Sequence, residues 1–302
     1  MKELTLPASS DDLSLSVLVS EPEGKPRGVL QLVHGMCEHK ERYIPFMEFL
    51  SAHGFVCVIH DHRGHGASIK DGRDLGYLYE GGWQAMVEDI RVVCDWARQQ
   101  YPGLDYSLFG HSMGSMAVRS FAKRYDGRLD RLFVCGSPSD SPAKGVGKAL
   151  ARFYGRFRGW HFRPKLLQRL CFGSFNKPFR NEGWPAAWVC SDGETLVEYH
   201  KDPLCTYRFT ANGFYGLMSL MEDCYSPEGW RVDRPQMPVH FISGAEDPCR
   251  GSDEALQQAA ALMRRIGYAS VDVRLYPGMR HEILNEKDRL TVWNDILDWL
   301  QQ

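Results

Sequence analysis

Tyr106-Ser107-Leu108-Phe109-Gly110-His111-Ser112-Met113-Gly114 decides how this chain is read. An apolar run of strand type leads straight into G-x-S-x-G, and Met116, Ala117, Phe121 and Ala122 then recur at helical spacing as far as Tyr125. A strand that turns at once into a helix around a serine is a nucleophile elbow, in which the serine backbone is strained and its hydroxyl projects outward. Glycines flank the serine because a side chain at either place would collide with the turn. The five-residue pattern recurs by chance; the strand before it and the helix after it give it weight.

Short apolar runs alternate with longer helical patterns on either side of the elbow. Leu13 to Val19 alternates as an antiparallel edge strand does. Gly28–Val33, Phe55–Ile59, Tyr106–Phe109 and Arg131–Cys135 are nearly continuous and apolar, as strands buried on both faces require. Between them, Trp83 to Tyr101 places Met86, Val87, Ile90, Val93, Cys94 and Ala97 on one helical face. This alternation predicts a mostly parallel sheet with right-handed crossovers. It stops near Pro138, gives way to an aromatic and basic stretch without clear strands, and resumes at Pro238–Gly244, Val271–Tyr276 and a last helix over Leu290–Leu300. The expected organisation is an α/β core over 1–137, a helical cap insertion over 138–235, and the rest of the core over 236–302.

A serine nucleophile needs a base within hydrogen-bond reach and a carboxylate to orient that base. In an open α/β sheet these groups come from loops at the carboxyl ends of strands. Asp247 follows the strand ending Phe241-Ile242-Ser243-Gly244, and His281 follows the strand ending Leu275-Tyr276. Alone, an Asp before Pro is a common turn residue and a single His a common surface residue. Together, the order Ser112, Asp247, His281 is that of the α/β-hydrolases, with Glu246 the rival acid. The oxyanion donors expected are the N–H groups of Met113, next after the nucleophile, and Met36, in the loop after Val29–Val33.

His34-Gly35-Met36-Cys37-Glu38-His39 with Arg42-Tyr43, Asp61-His62-Arg63-Gly64-His65-Gly66-Ala67-Ser68, the G-H-S-M-G elbow, and Tyr199 with Asp202-Pro203-Leu204 together resemble the monoacylglycerol lipase and lysophospholipase family, which is serine aminopeptidase S33-like. The resemblance spans nearly the whole chain and is weakest in the cap. It implies an α/β-hydrolase core, a helical cap and no cofactor. It also implies that Glu38, Arg42 and Tyr199 form the polar surround of a glycerol-like head group; His111, inside the elbow, is placed with them as substrate-binding. Three departures stand out: Cys37 where members often have Gly, Ser115 where a second Gly is frequent, and Leu284 where some members carry a further histidine. Nothing marks a site for a free amino terminus, which an aminopeptidase would need.

Composition bounds the rest. With 302 residues, 43% hydrophobic and 25% charged, and a net charge of −2, the chain suits a globular enzyme and gives no reason to expect nucleic acid as a partner. No apolar run reaches the roughly eighteen residues of a membrane span, and the first residues lack a signal-peptide core. Nine dispersed cysteines without C-x-x-C point to reduced thiols and a cytoplasmic setting. Cys37 and Cys249 adjoin the oxyanion loop and the acid, so thiol reagents are expected to inhibit. His60, Asp61, His62 and His65 are read as loop packing rather than metal ligands, and no metal is assigned.

The cap holds the remaining signal. Residues 144–180 contain ten Lys or Arg and no Asp or Glu. Lys144, Lys148, Arg152 and Arg156 form one stripe, with Leu150, Phe153, Phe157 and Trp160 opposite. One reading has the apolar side covering the site and the basic side solvated; the other has the segment contacting a membrane surface peripherally. The expected activity is serine hydrolysis of carboxylic esters of lipid-like substrates, monoacylglycerols or lysophospholipids. The runner-up is a general carboxylesterase or thioesterase of the same fold, and a non-catalytic ligand-binding module is the remote alternative.

Overall fold

Eight strands form one sheet in the computed structural model, which describes residues 1–302. They are β1 (Lys2–Pro7), β2 (Ser14–Ser20), β3 (Gly28–Val33), β4 (Phe55–His60), β5 (Tyr106–His111), β6 (Arg131–Cys135), β7 (Val239–Gly244) and β8 (Val271–Tyr276). Their spatial order is β1-β2-β4-β3-β5-β6-β7-β8, antiparallel at the β1–β2 and β2–β4 pairs and parallel from β4 onward. This is the mostly parallel α/β-hydrolase sheet the sequence predicts. The chain runs from β3 outward to β4 and then returns across β3 to β5, so the winding reverses beside β3. Ligands in open α/β sheets bind outside the carboxyl ends of strands at such a switch point. The elbow after β5 and the loop after β3 both lie there.

Helices cover both faces. α1 (Ile44–Ala52) and α9 (Arg289–Leu300) bury Phe46, Leu50, Trp293 and Ile296 against one face. α2 (Gly82–Gln100) and α3 (Met113–Tyr125) bury Met86, Ile90, Met116 and Phe121 against the other. Between β6 and β7 lie α4 (Lys144–Arg158), α5 (Lys165–Phe172), α6 (Gly193–Lys201) and α7 (Ala211–Tyr225), and α8 (Asp253–Ile266) precedes β8. α7 places Phe214, Leu217 and Leu220 in the same core cluster as α2 and α3, so the end of the inserted stretch packs as part of the core. β1, α1 and α8 have no counterpart in the sequence reading. β1 is a half-exposed edge strand in which only Leu4 and Leu6 turn inward.

α4 is turned differently from the first of the two expected readings. Two of its basic residues reach α7, Lys148 pairing with Glu222 and Arg152 donating to Tyr215 Oη at 2.9 Å and standing over that ring, while Arg152 and Arg156 stay exposed. Phe153 and Phe157 are 54% and 68% exposed instead of covering the site, while Leu150 does face the cavity. The buried positions of the helix are Ala151 and Gly155. A Cβ at Gly155 would lie 2.4 Å from the Trp160 ring, so small residues set which side packs inward.

Arg63 is fully buried and ties three segments together. Its Nε donates to Asp89 Oδ2 at 2.8 Å and its Nη2 to Asp89 Oδ1 at 3.2 Å, and Nη1 pairs with Asp11 in the β1–β2 turn. Asp89 Oδ1 also accepts from the Ser9 N–H at 2.8 Å and hydroxyl at 2.6 Å. Removing one partner of a buried pair strands the other charge. Asp89→Ala is therefore expected to lower stability by about 3–5 kcal/mol, read from the urea unfolding midpoint. A shift near zero would mean that Asp11 alone neutralises Arg63.

Candidate active site

The elbow has the strain that the motif requires. Ser112 sits at φ 54°, ψ −119°, a conformation L-residues rarely adopt, between the end of β5 and the first turn of α3. A Cβ at Gly110 would lie 2.4 Å from the Gly114 carbonyl oxygen, and one at Gly114 would lie 2.2 Å from that of Val33. Both glycines are thus fixed by close backbone approach. Ser115 fits at the helix start, where its hydroxyl donates to the Ser112 carbonyl at 2.6 Å.

Around the serine, the structure brings the expected groups together. Ser112, His281, Met36 and Met113 line one cavity. The His281 Nδ1–H donates to Asp247 Oδ2 at 2.9 Å. Asp247 is held in turn by the Cys249 N–H at 2.8 Å and the Ser243 hydroxyl at 3.2 Å. Burial alone would raise the Asp247 carboxyl, but the facing His281, aided by the Cys249 N–H, leaves it below the usual carboxylate range. Glu246 is exposed and stays out of this group, so Asp247 is the acid that meets the histidine. Met113 is the first residue of α3, so its N–H has no partner inside the helix. The Met36 N–H comes from the loop after β3, on the same cavity wall.

Glu38 anchors that loop. Its Oε1 accepts from the Gly35 N–H, from Tyr43 Oη at 3.2 Å and from His111 Nδ1 at 2.9 Å, while Oε2 faces Arg42 at 3.4 Å. His111 Nε2 meets the carbonyl of His281 at 3.2 Å. Both ring nitrogens of His111 thus face acceptors, which only the doubly protonated imidazolium satisfies. Burial by itself pushes that imidazolium down, but Glu38, with Glu282 and the His281 carbonyl adding, raises it above the ordinary histidine value. In the opposite sense, burial would raise the Glu38 carboxyl and His111 overrides it, holding it low.

Glu38, His111 and Tyr199 lie on the cavity wall, whereas Arg42 lies behind it. Arg42 makes two parallel bonds to Glu282, at 2.5 and 2.6 Å, and its guanidinium stands 5.3 Å from the Tyr199 ring centre. It therefore supports the wall rather than reaching into the cavity. Sequence reasoning missed Glu282, which lines the cavity and clamps Arg42, and Trp188, whose ring centre is 5.0 Å from that of His281. The adjacency of Glu282 to His281 was the available signal; Trp188 had none. Leu284 is buried in the core beneath.

One departure finds its physical reason here. Cys37 has φ 54°, in the left-handed region that favours glycine, and its thiol donates to the Tyr207 carbonyl at 3.3 Å. Cys37 and Cys249 do line the cavity, but burial pushes both thiols up, so the reactive thiolate is suppressed in each. His60, His62 and His65 are buried, and burial pushes His60 and His65 down to about 4. His62 Nε2 meets the His34 carbonyl at 3.0 Å and the His62 N–H donates to His34 Nε2 at 3.0 Å, the loop packing expected for this stretch.

The strained serine, the histidine–aspartate pair and two free N–H groups at a switch point define an α/β-hydrolase of the carboxylic-ester type. Residues 24–288 match the family model described as Hydrolase_4, serine aminopeptidase, S33, and the chain belongs to that family. It is 28% identical to the monoacylglycerol lipase of Mycolicibacterium smegmatis, over 92% of this chain and 90% of the relative. It is 30% identical to the monoglyceride lipase of Rattus norvegicus, over 93% of this chain and 84% of the relative. Among solved structures it superposes on a thermostable carboxyl esterase from Bacillus coagulans, crystallised with glycerol, with a TM-score of 0.90 and 27% identity over 99% of this chain and 97% of that one.

The His111–Glu38 pair makes a stability prediction with a definite sign. The raised His111 value contributes stability that is complete below the unfolded histidine value of about 6.5 and is lost as pH rises through the folded value. The depressed Glu38 value contributes above the unfolded value of about 4.3 and is lost as pH falls through the folded one. Urea unfolding across pH should therefore show stability falling on the alkaline side in the wild type. In His111→Gln that fall should be reduced. Parallel curves for the two proteins would show that His111 is not charged in the folded state.

Proposed function

We propose that this enzyme hydrolyses long-chain monoacylglycerols and related single-chain lipid esters through an acyl-enzyme on Ser112. The cavity carries this reading. Its volume is about 1110 Å³, at or above the upper end of the roughly 300–1,000 Å³ of ordinary ligand pockets. Leu150, Leu167, Phe172, Phe175, Leu217 and Met218 contribute apolar wall to the cavity that holds the serine. A linked polar group on its wall, Glu38 with His111, and Glu282 and Tyr199 with Arg42, is where a glycerol head group would lie. Both acids there are already paired, Glu38 with His111 and Glu282 with Arg42, so neither is free to hold the ammonium of a peptide amino terminus.

In the proposed reaction, the Ser112 hydroxyl attacks the ester carbonyl while His281 Nε2 takes its proton. Asp247 holds the Nδ1–H and stabilises the imidazolium. The Met36 and Met113 N–H groups receive the oxyanion, and each such donor typically contributes about 10²–10³ in rate. His281 then protonates the leaving glycerol, and water repeats the sequence on the acyl-enzyme. Hydrolysis of monoacylglycerols and p-nitrophenyl esters of graded chain length tests this. The expected result is a kcat/KM that rises with chain length and is lost in Ser112→Ala. Serine-dependent activity confined to short esters would move the function to a general carboxylesterase.

The same reading places the cap at a lipid surface. Val146, Phe153, Phe157 and Leu170 are each more than half exposed, and Val146 and Leu170 border the cavity. They sit in the basic segment 144–180, and exposed apolar groups among cations suit an anionic bilayer. No helix is long and apolar enough to cross a membrane. Phe153→Ser and Phe157→Ser should each weaken binding to anionic vesicles about tenfold, since burying a phenylalanine contributes roughly 1.5–3 kcal/mol. Unchanged cosedimentation would remove the membrane reading and leave esterase activity standing.

A further inference from the structure

A second group of polar side chains lies beside the hydrolytic centre, where the loop after β3 meets the cap; of its members, Cys205 lines the cavity that holds Ser112 while His39 and Asp202 do not. His39, Asp202 and Cys205 each present one donor atom within 4.8 Å of the other two. The three are nitrogen, oxygen and sulfur, a donor set that suits zinc and related ions. We propose that His39, Asp202 and Cys205 form a binding site for a thiophilic divalent cation, Zn²⁺ foremost.

The surroundings are arranged as a metal site requires. His39 Nε2 faces Asp202 Oδ2 at 2.7 Å, while Nδ1 on the far side of the ring meets Glu41 Oε2 at 2.6 Å. A carboxylate on the non-ligating nitrogen is the partner that fixes tautomer and ring orientation in metal-binding histidines. Glu41 is itself held by the Lys40 ammonium at 2.5 Å. Asp202 Oδ1 accepts from the Leu204 N–H at 2.7 Å, which leaves Oδ2 directed at the histidine. Cys205 is buried and Asp202 partly exposed, so an ion has a way in from solvent.

Zinc bonds of about 2.0–2.3 Å put tetrahedral partners within roughly 4 Å of one another, so side-chain shifts of about an ångström close this trio on one centre. Metal binding would replace the proton between His39 Nε2 and Asp202 Oδ2 and release the proton of the Cys205 thiol. The fourth position is left to water. Because His39 follows the Met36–Cys37 oxyanion loop and the other two ligands follow α6, the ion would fasten the cap to the core at the wall of the active-site cavity, which Cys205 lines.

Co²⁺ is the probe, because thiolate ligation gives a near-ultraviolet sulfur-to-cobalt charge-transfer band. Titration of the metal-stripped full chain should produce that band with one equivalent bound, and Zn²⁺ should displace it. Cys205→Ser should abolish the band, Asp202→Asn should weaken binding at least tenfold, and Glu41→Gln should weaken it about 10–100-fold. Zn²⁺ should raise the Tm of the wild type and not that of Cys205→Ser. Metal-free unfolding curves show that each variant is folded; should Cys205→Ser fail to fold, Asp202→Asn and Glu41→Gln decide alone. No band in the folded wild type would overturn the proposal. So would a band that survives Cys205→Ser but is lost in Cys249→Ser, which would put the ion on Asp247, Cys249 and His281 instead.

Discussion

A single buried carboxylate, Glu38, organises the catalytic end of this protein. A charge out of water must be paired and hydrogen-bonded or it is costly. Glu38 meets that demand with partners from separate segments: the Gly35 N–H and Tyr43 hydroxyl of its own loop, and His111 of the elbow. His111 passes the constraint on to the carbonyl of His281. The proposed oxyanion loop, nucleophile and base are thus referenced to one another through one ion pair. Preorganisation of this kind places donors before charge develops, so little reorganisation is left for the reaction itself.

Steric closeness does the rest. The elbow lies so near β3 that Gly114 touches the Val33 carbonyl and Gly35 lies against Ser112, where an added Cβ would come 2.9 Å from the serine Cβ. From the other side, the His281 loop is gripped by the cap. Arg280 donates to the Ala187 and Cys190 carbonyls at 2.7 and 3.2 Å, and Glu286 accepts from the Ser191 and Arg280 N–H groups at 3.0 and 2.8 Å. The cap is therefore wall and brace at once: it supplies the apolar cavity and holds the loop that carries the histidine.

Much of this was legible in the residues before any coordinates. The elbow, the buried parallel strands and the Ser112, Asp247, His281 order depend on local patterns, and the structure places all three side chains at strand ends on one side of the sheet. Contacts made across long sequence separations were not legible. Glu282 finds Arg42 from 240 positions away, and nothing local at either residue announces the pair. The facing of α4 was hidden for a different reason. Its sequence is amphipathic in a way that allows either side to pack, and the choice falls to Ala151, Gly155 and the Trp160 ring over them. Cys37 showed only as a departure from a frequent glycine; its positive φ gives the reason that glycine is frequent there.

The central claim is that Ser112 is the nucleophile of an acyl-transfer site, and intact-mass and peptide mass spectrometry after fluorophosphonate labelling tests it most directly. The account predicts one adduct, confined to the peptide containing Ser112, absent in Ser112→Ala and formed much more slowly in His281→Ala. An adduct on another residue, or none on the folded wild type, would contradict it.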